Sequence, residues 1–162
     1  MPYPAIGIMI EVPSAVYQMD VLAKRVDFFS VGSNDLTQYL LAVDRNNKQV
    51  AKLYSCLHPS VLNAIQQIVI SAHKNNKPVS VCGEMAGIPA SALALVGMGV
   101  DSLSMSSGSL LKVKRVIRSF TQDQAEKLVS EALSMENVLS IQLLFDSTLN
   151  KKGLGGLVRA GK

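Results

Sequence analysis

Short apolar runs alternate with longer amphipathic segments along this chain, and each run stops at a polar or reactive side chain. Residues 5–10 end at Glu11, residues 27–32 at Ser33-Asn34-Asp35, residues 77–82 at Cys82-Gly83-Glu84, and residues 102–105 at Ser106. Continuously apolar strands, each followed by a helical segment, indicate a parallel sheet covered by helices. Folds of this class build their sites at the C-terminal ends of the strands. Glu11, Asn34, Asp35, Cys82, Gly83, Glu84 and Ser106 are therefore expected to converge on one edge of the sheet.

The intervening segments read as helices. Pro13-Ser14 opens one that runs to about residue 24, with Ser14 as its cap. The polar Ser33-Asn34-Asp35 reads as a loop, with helical turns at 36–41 and 47–54. Pro59 starts a helix over 59–75, whose inner face is Val61, Leu62, Ile65, Ile68, Val69 and Ala72. A helix over 89–98 is closed by Gly99, and another leads from Ser106 to residue 119. Thr121 and Gln124 have capping-box spacing, and a last helix covers 136–151. Gly153, Gly155, Gly156 and Gly161 make the tail loose.

A closed (β/α)₈ barrel typically needs about 250 residues, and this chain has 162. Hydrophobic residues are 48% and charged residues 17%, which excludes disorder and demands a sizeable core. There is no apolar run of about 18 residues and no signal-peptide pattern, so membrane insertion is not expected. Two cysteines, Cys56 and Cys82, make no disulfide framework, and a cytoplasmic setting follows. The net charge of +4 falls entirely within residues 111–162. Without interleaved aromatics that surplus reads as a solvated helical face, not a nucleic-acid surface.

Several strand-end residues fit two readings. Glu11 and Asp35 supply two hard oxygen ligands from neighbouring strands, which suits Mg²⁺. Equally, Glu11 can pair with a cation while Asp35 caps a helical turn. Asn34 can donate to a phosphate or carboxylate oxygen, or serve turn geometry. Arg45 can grip a phosphate or pair with Asp44. Cys82 is either inert packing or a group for proton transfer or nucleophilic attack. Cys56 lies between elements and reads as incidental. His58 and His73 are isolated, with structural places at a helix start and a helix end.

Four ordered segments carry a family resemblance: 7–13 (GIMIEVP), 26–39 (VDFFSVGSNDLTQY), 42–47 (AVDRNN) and 82–87 (CGEMAG). Together they resemble the phosphoenolpyruvate-binding domain of the phosphoenolpyruvate (PEP)-utilising enzymes. The likeness is greatest to enzyme I of the phosphotransferase system, the phosphoenolpyruvate–protein phosphotransferases. The segment 43–47 and the ending 153–162 resemble its nitrogen branch.

The resemblance implies an α/β fold, the second half of a (β/α)₈ TIM barrel, with about four βα units plus C-terminal helices over residues 1–162. It implies that Glu11 and Asp35 hold Mg²⁺ and that Asn34 and Arg45 hold the phosphate, with Asp35 and Gly83 also at the substrate. Cys82 would be the acid that protonates the methylene carbon of enolpyruvate. Ser33 stands where the family more usually has Thr and keeps the hydroxyl. The implied partners are phosphoenolpyruvate and pyruvate, a histidine-containing phosphocarrier protein and a second copy of the chain.

The family's phosphate-binding arginines of the first barrel strands have no counterpart here. Nor do its phosphoryl-accepting histidine and the sensory domain of the nitrogen branch. The expectation is thus a C-terminal fragment, inactive alone, which self-associates through its open edges. Pyruvate phosphate dikinase and PEP synthase share the motifs but carry long insertions that this chain lacks. A non-catalytic dimerisation module is the remaining alternative.

Overall fold

The computed structural model describes residues 3–159. Strands β1 (Gly7–Ile10), β2 (Phe28–Gly32), β3 (Val79–Cys82) and β4 (Ser102–Ser104) form one parallel sheet in the order β1-β2-β3-β4. Helices α1 (Pro13–Val16) and α2 (Met19–Leu22) follow β1, and α3 (Ser33–Leu41) and α4 (Pro59–Lys74) follow β2. After β3 come α5 (Glu84–Gly87) and α6 (Pro89–Gly97), and after β4 come α7 (Ser107–Ile117), α8 (Gln122–Leu133), α9 (Val138–Lys151) and α10 (Gly155–Arg159).

The two faces of the sheet differ sharply. Ile10, Phe29, Val31, Val79 and Val81 are buried in the core together with the inner faces of the helices. Alternation turns the other residues to the opposite face: Met9, Ser30, Ser80 and Ser102 in one row, and Gly32, Cys82 and Ser104 in the next. Met9 is 50% exposed and the serines are half-buried or exposed, so no helix covers this face. A sheet covered by helices was expected; here helices cover one face, and the other is bare and built largely of small or polar residues. A parallel sheet whose strands follow in chain order with right-handed crossovers sends every helix to the same side.

Helix α4 buries all six expected apolar residues, the five larger ones contributing roughly 1.5–3 kcal/mol each and Ala72 less. His58 caps it, its Nδ1 accepting from the Ser60 N–H at 3.2 Å. Helix α6 is buried almost all round and packs on α8, where a Cβ on Gly97 would meet the Ala125 carbonyl. The Thr121–Gln124 capping box opens α8. Gly99, at φ +87°, follows the end of α6 in the left-handed region that glycine adopts without penalty. Lys112, Lys114, Arg115 and Arg118 are exposed on α7, the expected solvated basic face.

Four local expectations change. The helix expected through residue 24 breaks at Tyr17 and Gln18 into α1 and α2, and Ser14 lies inside α1 instead of capping it. Ser33-Asn34-Asp35 is not a loop but the first turn of α3, because the extended chain turns into helix directly at Gly32. The glycine-rich tail is helical over Gly155–Arg159, anchored by the buried Leu154; Gly161 lies outside the described residues. The helical turn expected over 47–54 is a single 3₁₀ turn, Ala51–Leu53.

At the N-terminal end of the sheet, Asp101 accepts from the Val79 N–H at 2.7 Å and contacts His73 Nε2 at 2.9 Å. Desolvation raises the Asp101 pKa, but the bonds from His73 and Val79 outweigh it and hold the carboxyl below its ordinary 3.8. A carboxyl depressed in the fold stabilises it above the unfolded value, and the benefit is lost as pH falls through the folded value. Asp101→Asn is expected to flatten the acid limb of a melting-temperature profile recorded from pH 6 downward. An unchanged acid limb would remove this pair from the pH response.

Candidate functional site

The C-terminal ends of β1, β2 and β3 meet because their registers run level: Ile10 pairs with Val31, and Gly32 with Cys82. Glu11 is the first residue beyond β1. Its side chain lies across Gly32, where an added Cβ would stand 3.0 Å from both its Cβ and its Oε2. The missing side chain at Gly32 thus leaves room for the carboxylate over the end of β2. Asp35 follows in the first turn of α3, where the helix dipole favours a negative charge.

Among the described residues the ion pairs are His73–Asp101 and Lys74–Asp20, so neither Glu11 nor Asp35 is held by a cation. No group of three or more metal-type side chains occurs among the described residues. Two carboxylates remain, the number Mg²⁺ commonly takes from a protein alongside waters and substrate oxygens. Their hard oxygen donors are of the type such an ion takes.

Asn34 is oriented by its neighbours. Its Oδ1 accepts from the Glu84 N–H at 3.1 Å. A backbone N–H can only donate, so this bond fixes the amide orientation and turns Nδ2, with two donors, away from Glu84. The contact depends on Gly83, which has φ +103° and ψ −173°. A Cβ there would stand 2.6 Å from Ser33 Oγ and 3.0 Å from Asn34 Oδ1. Both backbone conformation and space therefore exclude any other residue.

Ser33, 1% exposed, donates from Oγ to the Cys82 carbonyl at 2.6 Å and ties β2 to β3 at the site. Sequence reasoning named Ser33 only as a tolerated replacement; its hydrogen bond across 49 residues had no local signal. The Cys82 thiol sits on the bare face of the sheet and reaches the Val31 carbonyl at 3.4 Å. Arg45 lies in the segment between α3 and α4, its N–H donating to Gln38 Oε1 at 3.4 Å. Asp44 instead accepts from the Asn46 N–H at 2.8 Å, so the expected Asp44–Arg45 alternative is absent among the described residues.

Asn34, Cys82, Gly83 and Glu84 line one wall of a cleft of about 910 Å³, together with Tyr54 and Cys56. Ser106, the fourth strand-end residue, also lines it. Glu11, Asp35 and Arg45 are not part of that cleft wall. Burial pushes the Cys56 thiol pKa up, and the thiol lies 3.4 Å from Ser91 Oγ; it was expected to lie apart from the site, yet it lines this cleft. Tyr54 was missed altogether. It carries no motif, yet burial raises its phenol pKa and its hydroxyl reaches the Asn34 carbonyl at 3.2 Å.

Two carboxylates, a primary amide and a thiol thus stand at or just beyond the C-terminal strand ends, and Arg45 lies in the segment that follows α3. Residues 2–122 match the model of the PEP-utilising enzyme, PEP-binding domain. The chain belongs to the PEP-utilising enzyme family. It is 43% identical over 99% of its length to the protein named phosphoenolpyruvate-dependent phosphotransferase system of Salmonella typhimurium, and 44% identical over 99% to that of Escherichia coli. It is 43% identical over 92% of its length to the phosphoenolpyruvate-protein phosphotransferase of Haemophilus influenzae. The chain spans 22% of the first two relatives and 26% of the third, roughly a quarter or less of each.

Gly83→Ala is expected to cost about 1–3 kcal/mol in denaturant unfolding, through strain at positive φ and the collision with Ser33. It is also expected to expose the Glu84 amide to faster hydrogen exchange. Wild-type unfolding and exchange would show that the turn tolerates a Cβ and that Asn34 is not held this way.

Proposed function

We propose that this chain is the substrate- and Mg²⁺-binding part of a phosphoenolpyruvate–protein phosphotransferase. In that reaction the phosphoryl group of phosphoenolpyruvate passes to an enzyme histidine and on to a phosphocarrier protein, and pyruvate is released. The observation that carries the reading is the Asn34–Gly83–Glu84 contact. It joins the strand ends bearing Asn34, Asp35 and Cys82 and leaves the Asn34 Nδ2 donors unused among the described residues.

In this reading Asn34 Nδ2 and the Arg45 guanidinium bind phosphate oxygens, with Arg able to do so bidentately. Phosphoryl transfer is mostly a matter of positioning and charge neutralisation, which donors and cations supply. Glu11 and Asp35 would hold Mg²⁺, which when bound neutralises charge on the phosphate and the enolate. The bond from phosphorus to the enolate oxygen breaks as one to the acceptor nitrogen forms. The Cys82 thiol then gives its proton to the methylene carbon, and pyruvate leaves. The acceptor histidine belongs to a part of the enzyme outside these residues, since His58 serves as a helix cap and His73 contacts Asp101.

The same reading makes the sheet one half of a (β/α)₈ barrel. The bare face, with its small residues Ser30, Ser80, Gly32 and Ser104, would then be barrel interior, and the outer edges of β1 and β4 would pair with further strands. Open edges and a bare face favour self-association of the isolated chain. Among the described residues no helix is long and apolar enough to cross a membrane.

Calorimetric titration with Mg²⁺ and phosphoenolpyruvate tests the binding half. Asp35→Ala is expected to abolish measurable binding; unchanged binding would reject the metal role. In the polypeptide that also carries the acceptor histidine, Cys82→Ala is expected to lose turnover while keeping substrate affinity within about twofold. Retained turnover would reject the thiol as acid. Light scattering of the 162-residue chain at high concentration is expected to give a mass above the monomer, and a monomer throughout would count against exposed pairing edges.

A further inference from the structure

The segment 42–58 carries Arg45 and joins α3 to α4. Its near end is held by Gln38, whose carbonyl accepts from the Val43 N–H at 3.0 Å and whose Oε1 accepts from the Arg45 N–H. Its far end comes back to the same helix through Tyr54, whose hydroxyl donates to the Asn34 carbonyl at 3.2 Å. Tyr54 is half-buried in the cleft wall, and the charges of both Arg45 and Glu84 act on its phenol.

Beside it lies Thr37, fully buried on the same first turns of α3. Thr37 Oγ1 is the one buried side-chain oxygen or nitrogen without a hydrogen-bond partner among the described residues. Burial raises the Tyr54 phenol pKa, and the Thr37 hydroxyl acts on it in the opposite direction without outweighing burial. A buried hydroxyl without polar company is costly, which gives this pairing a physical reason to persist.

We propose that Tyr54 is a positioning residue for phosphate recognition: its hydroxyl fastens the Arg45 segment to the first turn of α3, so that the Asn34 amide and the Arg45 guanidinium move as one unit. The inference rests on the phosphate-binding reading of Asn34 and Arg45. Asn34 is then gripped twice, at its carbonyl by Tyr54 and at Oδ1 by the Glu84 N–H, and only Nδ2 remains for a ligand. Two donors held in fixed relation lose less freedom on binding than two mobile ones.

Tyr54→Phe in the 162-residue chain removes the hydroxyl and keeps the ring; Tyr39→Phe, on the exposed face of α3, is the control. Without ligand, amide exchange followed by NMR is expected to quicken roughly threefold to tenfold at Glu84 and Ala51, with Ile65 and Ile68 unchanged. Titration with phosphoenolpyruvate and Mg²⁺ is expected to show affinity falling roughly threefold to tenfold for Tyr54→Phe and not for Tyr39→Phe. Wild-type exchange, or wild-type affinity despite faster exchange, overturns the proposal. Weaker binding without faster exchange also overturns it, because Tyr54 would then touch the ligand directly. If neither the 162-residue chain nor the longer polypeptide that carries the acceptor histidine binds phosphoenolpyruvate, the functional reading fails and the phosphate role of Tyr54 with it; if only the longer polypeptide binds, the same affinity comparison is made in it, and the exchange measurement decides the fastening in either case.

Discussion

A missing Cβ at Gly83 governs the site. It lets the turn after β3 approach the first turn of α3 until Ser33 Oγ reaches the Cys82 carbonyl at 2.6 Å and Asn34 Oδ1 reaches the Glu84 N–H at 3.1 Å. Both bonds join segments about fifty residues apart in the chain. Without that close approach the ends of β2 and β3 would still be adjacent through the sheet, but their side chains would have no fixed relation.

The asymmetry of the sheet follows from topology as much as from composition. Strands in chain order place the helices on one side, and the core forms there from Ile10, Phe29, Val31, Val79 and Val81. The other side keeps Met9, Ser30, Ser80 and Cys82 open. Cys82 thus combines a strand end, a bare face and a carbonyl neighbour in Val31, which is an unusual place for a thiol that only packs. Cys56 is the contrast: its thiol is turned to Ser91 and its pKa is raised by burial.

Much of this was legible beforehand. Largely apolar runs ending in reactive residues located the four strands and the strand-end residues, since the core-facing positions of each strand are apolar and the chain turns polar where it emerges. The spacing of Val61, Leu62, Ile65, Ile68, Val69 and Ala72 defined α4, and the capping box defined the start of α8. Local reading failed where the chain's course depended on neighbours. Ser33-Asn34-Asp35 has loop composition but is helical, because Gly32 turns the strand directly into α3. The segment after Pro13 has helical composition but breaks at Tyr17.

The sequence by itself determined the α/β class with its parallel sheet and the family, and it named the candidate site residues, because apolar runs and short motifs are local properties. Tertiary structure alone decided which face of the sheet is bare, how the Asn34 amide is turned, and that Ser33 and Tyr54 belong to the site. Those features depend on hydrogen bonds between residues 20 to 50 positions apart. No local pattern encodes such distances; they arise when the strand ends are brought level in one parallel sheet.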